Sequence, residues 1–523
     1  MNKWLVDNLT LEEKIGQLIM FGFDATEPND HAIELIRDYK IGNVILFTRN
    51  VKSPQQLFML NQNLQKLALS SIGIPLFISI DQEGGMVTRI FNGTTHFPGA
   101  MTVAATQDPN LAFETGRRMG EVLEDLGINM NLAPVLDINN NPRNPVIGVR
   151  SYGDQPEEVA RFGVMMMKGL QKSVLATGKH FPGHGDTQTD SHLALPKVNH
   201  SLKRLLEVEL VPFVQSINEG IACIMSSHID FPELTKGFPC TLSKAVLTDL
   251  LRDSLGFKGL IISDCMQMKG IQNHYTTPEA VLMGIQAGID IACVSHSREL
   301  QFASYARLLK AARSQELDIS ILNTRVQHIL NHKKKMKAPN VERSYSSVKQ
   351  RVENQETQSF ALDVVRRAAT LVKGDALKLA KRALFIGIMP VATTIADETE
   401  TPIPIEQMIK MACPSMTTLM IPVDPDETII QTIISKAESF DQIIVTTYNS
   451  NVYTMQSELI RRMDALGKDF HVIALRNPYD LFINPTLKNY VALYESTPNA
   501  MRVLIEYLKG SLICKGRMPV HHG

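Results

Sequence analysis

Between residues 15 and 294, short apolar segments alternate with longer amphipathic ones, and this alternation limits the possible folds more than any other feature. Such apolar runs are typical of parallel strands buried on both faces, and the stretches between them have helical spacing. The eight runs are Ile15–Phe23, Ile41–Phe47, Pro75–Asp81, Ile128–Asp137, Ala176–His180, Cys223–His228, Gly259–Asp264 and Ile289–Val294. Eight strands joined by helices predict an α/β fold, a (β/α)8 TIM barrel.

A charged segment containing a proline separates this series from a second one. The helical pattern Glu299–Lys335 runs into the segment Lys333–Glu353, whose composition is typical of a linker. Five further strand candidates alternate with helices after it: Ala383–Met389, Met416–Ile421, Gln442–Thr447, His471–Arg476 and Tyr490–Tyr494. We therefore predict a catalytic barrel over residues 1–340, a linker helix over 341–375 and a smaller doubly wound α/β sandwich domain over 376–523.

Charge and composition exclude several classes of partner. The 53 basic and 54 acidic side chains leave a net charge of -1, so no long-range field collects a phosphate backbone, and we expect no nucleic-acid partner. No window approaches the ~20 apolar residues of a membrane span, and we expect no membrane partner. The N-terminal residues are too polar for a signal peptide, which predicts a cytoplasmic chain unless a leader was removed. The six widely spaced cysteines suggest neither a disulfide framework nor a thiolate zinc site.

Ionisable residues stand at the ends of successive predicted strands. The third strand ends in Asp81, the fourth in Asp137, the fifth in Lys179 and His180, the sixth in His228 and the seventh in Asp264. Burying a polar group without a hydrogen-bond partner costs on the order of 2–7 kcal/mol, and burying an unpaired charge costs more. Barrel enzymes place their chemistry at the carboxyl ends of the strands, so we expect these side chains to ring one pocket.

The segment from Lys179 to His192 is the densest in polar chemistry and admits three interpretations. The histidines and aspartates could hydrogen-bond the backbone of a long loop. Alternatively His180, His184, Asp190 and His192 could bind zinc. Pro182 and Gly183 would break a helix that brings the first two imidazoles together, which disfavours the metal.

The third interpretation is a carboxylate–imidazole pair made by Asp190 and His192. The carboxylate would hold the imidazole in one tautomer, and the imidazole could protonate a leaving group near neutral pH. Asp264, at the end of the seventh strand, is the natural partner nucleophile. A strand-end carboxylate opposite a proton donor is the arrangement of a retaining glycosidase.

Several motifs in one order resemble glycoside hydrolase family 3, specifically the β-N-acetylglucosaminidases of the bacterial NagZ type in their two-domain Gram-positive form. The motifs are Asp81-Gln82-Glu83-Gly84-Gly85 with Arg89, Ala133-Pro134-Val135-Leu136-Asp137, Arg150-Ser151-Tyr152-Gly153, Lys179-His180-Phe181-Pro182-Gly183-His184-Gly185, Asp190-Ser191-His192 and Ser263-Asp264. The resemblance covers the whole predicted barrel, and the following domain is similar to that of the two-domain members.

The resemblance implies a role for each matching residue. Asp264 corresponds to the nucleophile, His192 to the acid/base and Asp190 to its dyad partner. The substrate-binding positions are Asp81, Arg89, Arg150, Lys179, His180 and, more weakly, His228. The implied activity is a retaining exo-β-N-acetylglucosaminidase acting on a small carbohydrate such as a peptidoglycan or chitin fragment, with no cofactor and no metal.

Three departures from the family pattern and three alternative functions accompany this prediction. Met86 stands where Arg is usual, Gly178 where Ala is common, and Cys265 follows the predicted nucleophile in place of Asp or Ala. The alternatives are a family 3 β-glucosidase or β-xylosidase, an N-acetylglucosaminide phosphorylase, and a sugar-binding protein without activity. The natural glycoside and the oligomeric state are left open by the sequence.

Overall fold

The computed structural model describes residues 2–187, 194–392 and 404–521. Eight parallel strands pair in chain order and close into a barrel, because the first strand pairs with both the second and the eighth. The strands are β1 Ile19–Phe21, β2 Asn43–Leu46, β3 Phe77–Ile80, β4 Met130–Asn131, β5 Leu175–Phe181, β6 Cys223–Ser226, β7 Leu260–Cys265 and β8 Ile291–Val294. The predicted (β/α)8 barrel is confirmed.

Helices surround the barrel and follow each strand. They are α1 Leu11–Gln17, α2 Asp30–Arg37, α3 Pro54–Ser71, α4 Ala100–Ala105, α5 Pro109–Asp125, α6 Pro156–Leu170, α7 Leu202–Glu207, α8 Val211–Asn218, α9 Pro232–Thr235, a π-helix Ala245–Ser254, α10 Lys269–Gln272, α11 Thr277–Ala287, α12 Arg298–Arg313 and α13 Ile319–Lys335. Several begin at a side-chain cap, as α3 does at Ser53, which accepts a hydrogen bond from the backbone of Gln56.

Two predicted elements differ from the structure. The run Ile15–Phe23 is a strand only over its second half, because Thr10 and Glu13 form a capping box that starts α1 at residue 11. The pattern Glu299–Lys335 is two helices, α12 and α13, and Asp318 caps the second of them. In the first case the helix extends into the hydrophobic run, and in the second a cap inside the helical pattern starts a new helix.

The second domain is built on a six-stranded sheet of order β11-β10-β12-β13-β14-β9, in which only β9 runs antiparallel to its neighbour. Its strands are β9 Thr370–Lys373, β10 Ala383–Ile388, β11 Thr417–Ile421, β12 Gln442–Thr447, β13 Asp469–Ala474 and β14 Asn489–Ala492. The helices of this half are α14 Lys349–Val352, α15 Gln355–Ala368, α16 Ile405–Ala412, α17 Glu427–Ala437, α18 Thr454–Asp464, α19 Asp480–Ile483 and α20 Pro498–Leu508. Strand β9 lies inside the segment predicted as linker helix, so the sheet begins before residue 376. The domain boundaries themselves stay predictions.

The two halves of the chain pack against each other beside the barrel mouth. A small apolar cluster joins barrel residues such as Met101 and Val149 to Tyr479 and Tyr494 of the second domain. The buried carboxylate of Glu495 accepts hydrogen bonds from the backbone of Gly99 and from Thr102, at 2.9 and 2.7 Å. In the described ranges, no helix is both long enough and apolar enough to cross a bilayer.

Candidate active site at the barrel mouth

A cavity of about 270 Å³ opens at the carboxyl ends of the barrel strands. Six of the predicted site residues line it: Asp81, Arg89, Arg150, Lys179, His180 and Asp264. They lie near the ends of β5 and β7 or in the segments that follow β3 and β4, which the closed barrel brings to one rim. The predicted acid/base pair, Asp190 and His192, lies outside the described residues. The structure therefore brings together six of the nine predicted site residues. It does not describe the predicted proton donor, His192, or its partner, Asp190.

Four charged side chains form a connected cluster on one wall of the cavity. The Nζ of Lys179 lies 2.7 Å from Oδ1 of Asp81 and 2.7 Å from Oε1 of Glu83. Glu83 also accepts two hydrogen bonds from Arg150, 2.9 Å from Nε and 2.7 Å from Nη2. Paired donors of this kind fix a carboxylate in both position and orientation. Asp81 is thus held by the Lys179 ammonium, whose second carboxylate partner, Glu83, is fixed by Arg150.

The electrostatics of this cluster keep its members charged. Burial raises the pKa of Glu83, but the positive charges of Arg150 and Lys179 outweigh burial and bring that pKa well below its ordinary value. Burial lowers the pKa of Lys179, and the carboxylates of Asp81 and Glu83 reverse this and raise it. Arg89 adds a further cation, with its Nη2 3.8 Å from Oδ2 of Asp81. A fixed set of donors and acceptors of this kind suits the hydroxyl groups of a sugar.

Asp137, which is fully buried, organises the two histidines of the β5 loop. Its Oδ2 lies 2.7 Å from Nδ1 of His180, and its Oδ1 accepts hydrogen bonds from the backbone N–H groups of His180 and His184, at 3.1 and 2.7 Å. Burial raises the pKa of Asp137, but the two histidines and these hydrogen bonds bring it below its ordinary value. The ionised carboxylate thereby places the Nδ1 proton of His180 and orients its ring at the cavity wall.

His184 is neutral at physiological pH. Burial, together with the nearby His180, lowers its pKa to about 4. Its Nδ1 lies 2.9 Å from the hydroxyl of Thr187, and its ring meets that of His180 edge-on, with centroids 5.8 Å apart. The zinc interpretation also required Asp190 and His192, which lie outside the described residues. Among the residues that are described, no cluster of His, Cys, Asp or Glu has the make-up of a metal site.

Asp264 lies near the end of β7 and faces the same cavity as the charged cluster. The backbone N–H of Cys265 donates to its Oδ1 at 2.7 Å, which fixes the carboxylate's orientation. Burial raises the pKa of the Cys265 thiol, so this unusual neighbour is a neutral group at physiological pH.

His228 was predicted to contact substrate, but it is not among the residues lining the cavity. Its Nδ1 lies 2.9 Å from the hydroxyl of Thr241 and its Nε2 2.9 Å from the backbone oxygen of Cys265. The ring is buried. Its position favours support of the β7 end, next to Asp264, over direct contact with a sugar.

Sequence reasoning does not assign a role to Glu83, although this residue belongs to the Asp81-Gln82-Glu83-Gly84-Gly85 motif. Gly84 and Gly85, which follow it, have φ angles of 92° and 56°. A Cβ on Gly84 would stand 2.4 Å from the backbone oxygen of Pro98, so the tight turn requires glycine. A charged residue before such a glycine pair at a strand end was the available signal.

An aromatic pair that lines the cavity, here called the aromatic lip, is also not predicted from the sequence. Phe47, after β2, and His296, after β8, have ring centroids 5.2 Å apart, and both line the cavity. The guanidinium of Arg49 lies 4.3 Å from the Phe47 ring. Phe47 and His296 are separated by about half of the chain, so only barrel closure brings their rings together.

The chain is similar to glycosyl hydrolases of family 3 and to beta-hexosaminidases. Residues 10–332 match the family model described as the glycosyl hydrolase family 3 N terminal domain. A family 3 β-N-acetylglucosaminidase from Paenibacillus sp. is 37% identical, with a TM-score of 0.89 over 98% of this chain and 99% of that one. Beta-hexosaminidase A of Pseudoalteromonas piscicida is 33% identical over 70% of this chain and 68% of its own. A beta-hexosaminidase of Neisseria meningitidis is 35% identical over 54% of this chain and 79% of its own.

Proposed function

This chain belongs to glycosyl hydrolase family 3, and on that premise we propose that it is a retaining exo-β-N-acetylglucosaminidase. It releases terminal β-linked N-acetylglucosamine through a covalent intermediate on Asp264, with His192 and Asp190 as the acid/base dyad. The relatives named as beta-hexosaminidases and the solved β-N-acetylglucosaminidase support this choice of sugar.

One observation carries the proposal: Asp264 lines the same small cavity as the charged cluster of Asp81, Glu83, Arg150 and Lys179. The cavity, at about 270 Å³, is below the range of roughly 300–1,000 Å³ typical of pockets for larger ligands. It suits one sugar ring rather than an oligosaccharide. A pocket for one ring, with a carboxylate on one side and a set of hydrogen-bonding groups on the other, supports cleavage at a chain end.

The proposed reaction has two steps. In the first, an oxygen of Asp264 bonds to the anomeric carbon while the glycosidic C–O bond breaks, and His192 gives a proton to the departing oxygen. In the second, His192 takes a proton from water, the water oxygen bonds to the anomeric carbon, and the bond to Asp264 breaks. Two inversions retain the β configuration. An imidazole with an ordinary pKa near ~6.5 can serve in both directions at neutral pH.

The charged cluster and the aromatic lip have separate roles in this scheme. Asp81, Arg89, Lys179 and His180 bind the hydroxyl groups of the terminal sugar, with Arg150 and Glu83 fixing the geometry of that set. Phe47 and His296 line the cavity and offer an aromatic surface to the leaving group. We propose peptidoglycan or chitin fragments as natural substrates, since both present terminal β-linked N-acetylglucosamine.

The test is an assay of p-nitrophenyl N-acetyl-β-glucosaminide against the p-nitrophenyl β-glucoside, each with and without phosphate. The proposal expects turnover of the N-acetylglucosaminide, weak or no turnover of the glucoside, and free N-acetylglucosamine as product in either buffer. Formation of the sugar phosphate would identify a phosphorylase instead. Preference for the glucoside would identify a β-glucosidase, and turnover of neither substrate, with sugar binding retained, would identify a binding protein.

A further inference from the structure

Asn477, in the second domain, contacts the barrel mouth without lining the cavity. It follows β13 at the carboxyl edge of the second sheet, and its side chain is buried. Its Oδ1 accepts a 3.0 Å hydrogen bond from the backbone N–H of Val149. Val149 immediately precedes Arg150, which belongs to the charged cluster. The contact therefore joins the second domain to the backbone that carries a cavity residue.

The turn that holds Arg150 cannot satisfy this N–H by itself. Residues Gly148–Arg150 form a single 3-10 turn, and Ile147 before it has no side-chain acceptor. The first N–H groups of any helix have no partner within the helix, and a side chain of Asn, Asp, Ser or Thr usually caps them. Asn477 provides this cap from another domain.

Gly148 makes room for the contact. Its φ is 46°, and a Cβ there would stand 2.3 Å from Oδ1 of Asn477. A side chain at this position would therefore displace the amide that caps the turn. The glycine and the asparagine are complementary, although they are more than three hundred residues apart in the chain.

The side chain of Val149 also contacts the second domain. It is buried in the apolar cluster with Tyr479, Ala492 and Tyr494 of the second domain. Both the backbone and the side chain of Val149 are thus fixed by the second domain. The next residue, Arg150, holds Glu83 by two hydrogen bonds, and Glu83 and Asp81 share the amine of Lys179.

We propose that Asn477 is a positioning residue for the sugar site. It caps the turn of residues 148–150 so that Arg150, Glu83 and Lys179 hold Asp81 in place for a substrate hydroxyl. The second domain thereby takes part in substrate binding, although none of the described residues that line the cavity belongs to it. The kinetic part of the test rests on the proposed function.

The kinetic test compares Asn477→Ala with a matched control, Asn451→Ala. Asn451 also lies at the carboxyl edge of the second sheet, and its Nδ2 donates to the backbone oxygen of Pro142 at 2.6 Å, away from the turn of Arg150. Loss of one buried hydrogen bond should raise KM of Asn477→Ala for the N-acetylglucosaminide by about fivefold, while kcat stays close to the wild-type value. Asn451→Ala should leave both constants unchanged.

A conservative variant separates positioning from general packing. Asn477→Asp keeps an oxygen for the Val149 N–H, so it should bring KM back close to the wild-type value. A KM as high as that of Asn477→Ala, in a variant that is folded, would show that the acceptor is not what matters. Equal increases in KM for Asn477→Ala and Asn451→Ala would likewise overturn the proposal, because they would indicate a general effect of domain docking.

Hydrogen exchange gives a readout that needs no substrate. In Asn477→Ala, the amide of Val149 should exchange faster, in a peptide covering residues 146–152, while a peptide covering the turn after Pro142 stays protected. In Asn451→Ala the peptide covering residues 146–152 should stay protected, because the bond that is lost goes to a carbonyl oxygen and not to the Val149 N–H. If the wild-type protein hydrolyses neither test glycoside, the proposed function fails. The exchange data would still show whether Asn477 stabilises the turn of residues 148–150. Unchanged exchange of the Val149 peptide in Asn477→Ala overturns the positioning role.

Discussion

Glu83 and Arg150 form a buried ion pair through two hydrogen bonds, with the carboxylate oxygens 2.9 and 2.7 Å from Nε and Nη2. Their side chains are 7% and 4% exposed. A buried pair of this kind adds little stability compared with apolar residues, but removal of one partner leaves an uncompensated charge in the interior. At this position the pair also determines where the amine of Lys179 lies, since Glu83 is one of its two carboxylate partners.

Substitution of Glu83 by Gln should destabilise the protein. The change keeps the shape of the side chain but removes the buried charge that pairs with Arg150 and Lys179, at a cost of about 3–5 kcal/mol in the free energy of unfolding. KM should rise as well, because Lys179 loses one of the two groups that position it. Urea unfolding at pH 7 and steady-state kinetics measure the two effects.

Glu495→Gln is the matched control for this change. Glu495 is an equally buried carboxylate near the mouth, but its partners are a backbone N–H and hydroxyl groups, and burial raises its pKa. Neutralising it removes no ion pair, so the loss of stability should be much smaller. Similar losses for Glu83→Gln and Glu495→Gln would contradict the account of the Glu83–Arg150 pair.

The sequence predicted the barrel because its hydrophobic pattern repeats over eight strands, and barrel closure follows from that number. It also predicted that Asp81, Lys179 and Asp264 share a cavity, since all three stand at strand ends. It could not decide which way a strand-end side chain turns. His228 stands at the end of β6, yet its ring binds Thr241 and the backbone of Cys265.

The residues that the sequence did not reveal depend on contacts between distant segments. Glu83 contacts both Lys179 and Arg150, and the turn that carries Arg150 is capped from the other domain by Asn477. Phe47 and His296 meet only because β8 pairs with β1 and β1 with β2. Periodicity reports which residues are buried, but it carries no information on such long-range pairs.

Stability should fall as the pH drops below about 6.5, and His184 should cause part of that fall. Burial and His180 lower its pKa to about 4 in the folded protein, whereas an unfolded histidine has a pKa near ~6.5. The unfolded state therefore binds the proton first. The stability from neutral His184 is complete above pH ~6.5 and is lost as the pH falls through about 4, a change of roughly 3 kcal/mol.

The measurement is the free energy of unfolding of His184→Gln and of wild type between pH 4 and pH 7. The variant should show a shallower slope over that range. His274→Gln is the control, because His274 is exposed to solvent, and it should keep the wild-type slope. A His184→Gln slope equal to that of wild type would contradict the assignment.

Chelators should not change the rate. The proposed steps use Asp264, His192 and Asp190, and none of them requires a metal. Dialysis against EDTA followed by assay of the N-acetylglucosaminide should give the starting activity. A loss that is reversed by added zinc would favour the metal interpretation of His180, His184, Asp190 and His192 instead.

Replacement of Asp264 by Ala should abolish turnover while the protein stays folded and still binds the sugar. In the proposed mechanism this carboxylate forms the covalent bond, so kcat should fall by about 10⁴-fold or more. Asp186→Ala is a matched control, since Asp186 is a carboxylate of the neighbouring loop that pairs with His200 and is not among the residues lining the cavity. It should keep near-normal kcat. Comparable losses in the two variants would show that Asp264 is not the nucleophile.

The proposed acid/base role of His192 predicts a dependence on the leaving group. His192→Ala should slow hydrolysis of a natural disaccharide by about 10²–10⁴-fold, because its leaving alkoxide needs a proton. An activated aryl glycoside leaves without that help, so its bond-breaking step should be slowed much less. Asp190→Ala should show the same pattern more weakly, since the imidazole remains but loses its orienting partner. Rates measured on both substrates give the comparison, and an equal loss on the two would assign His192 to binding or folding rather than to proton transfer.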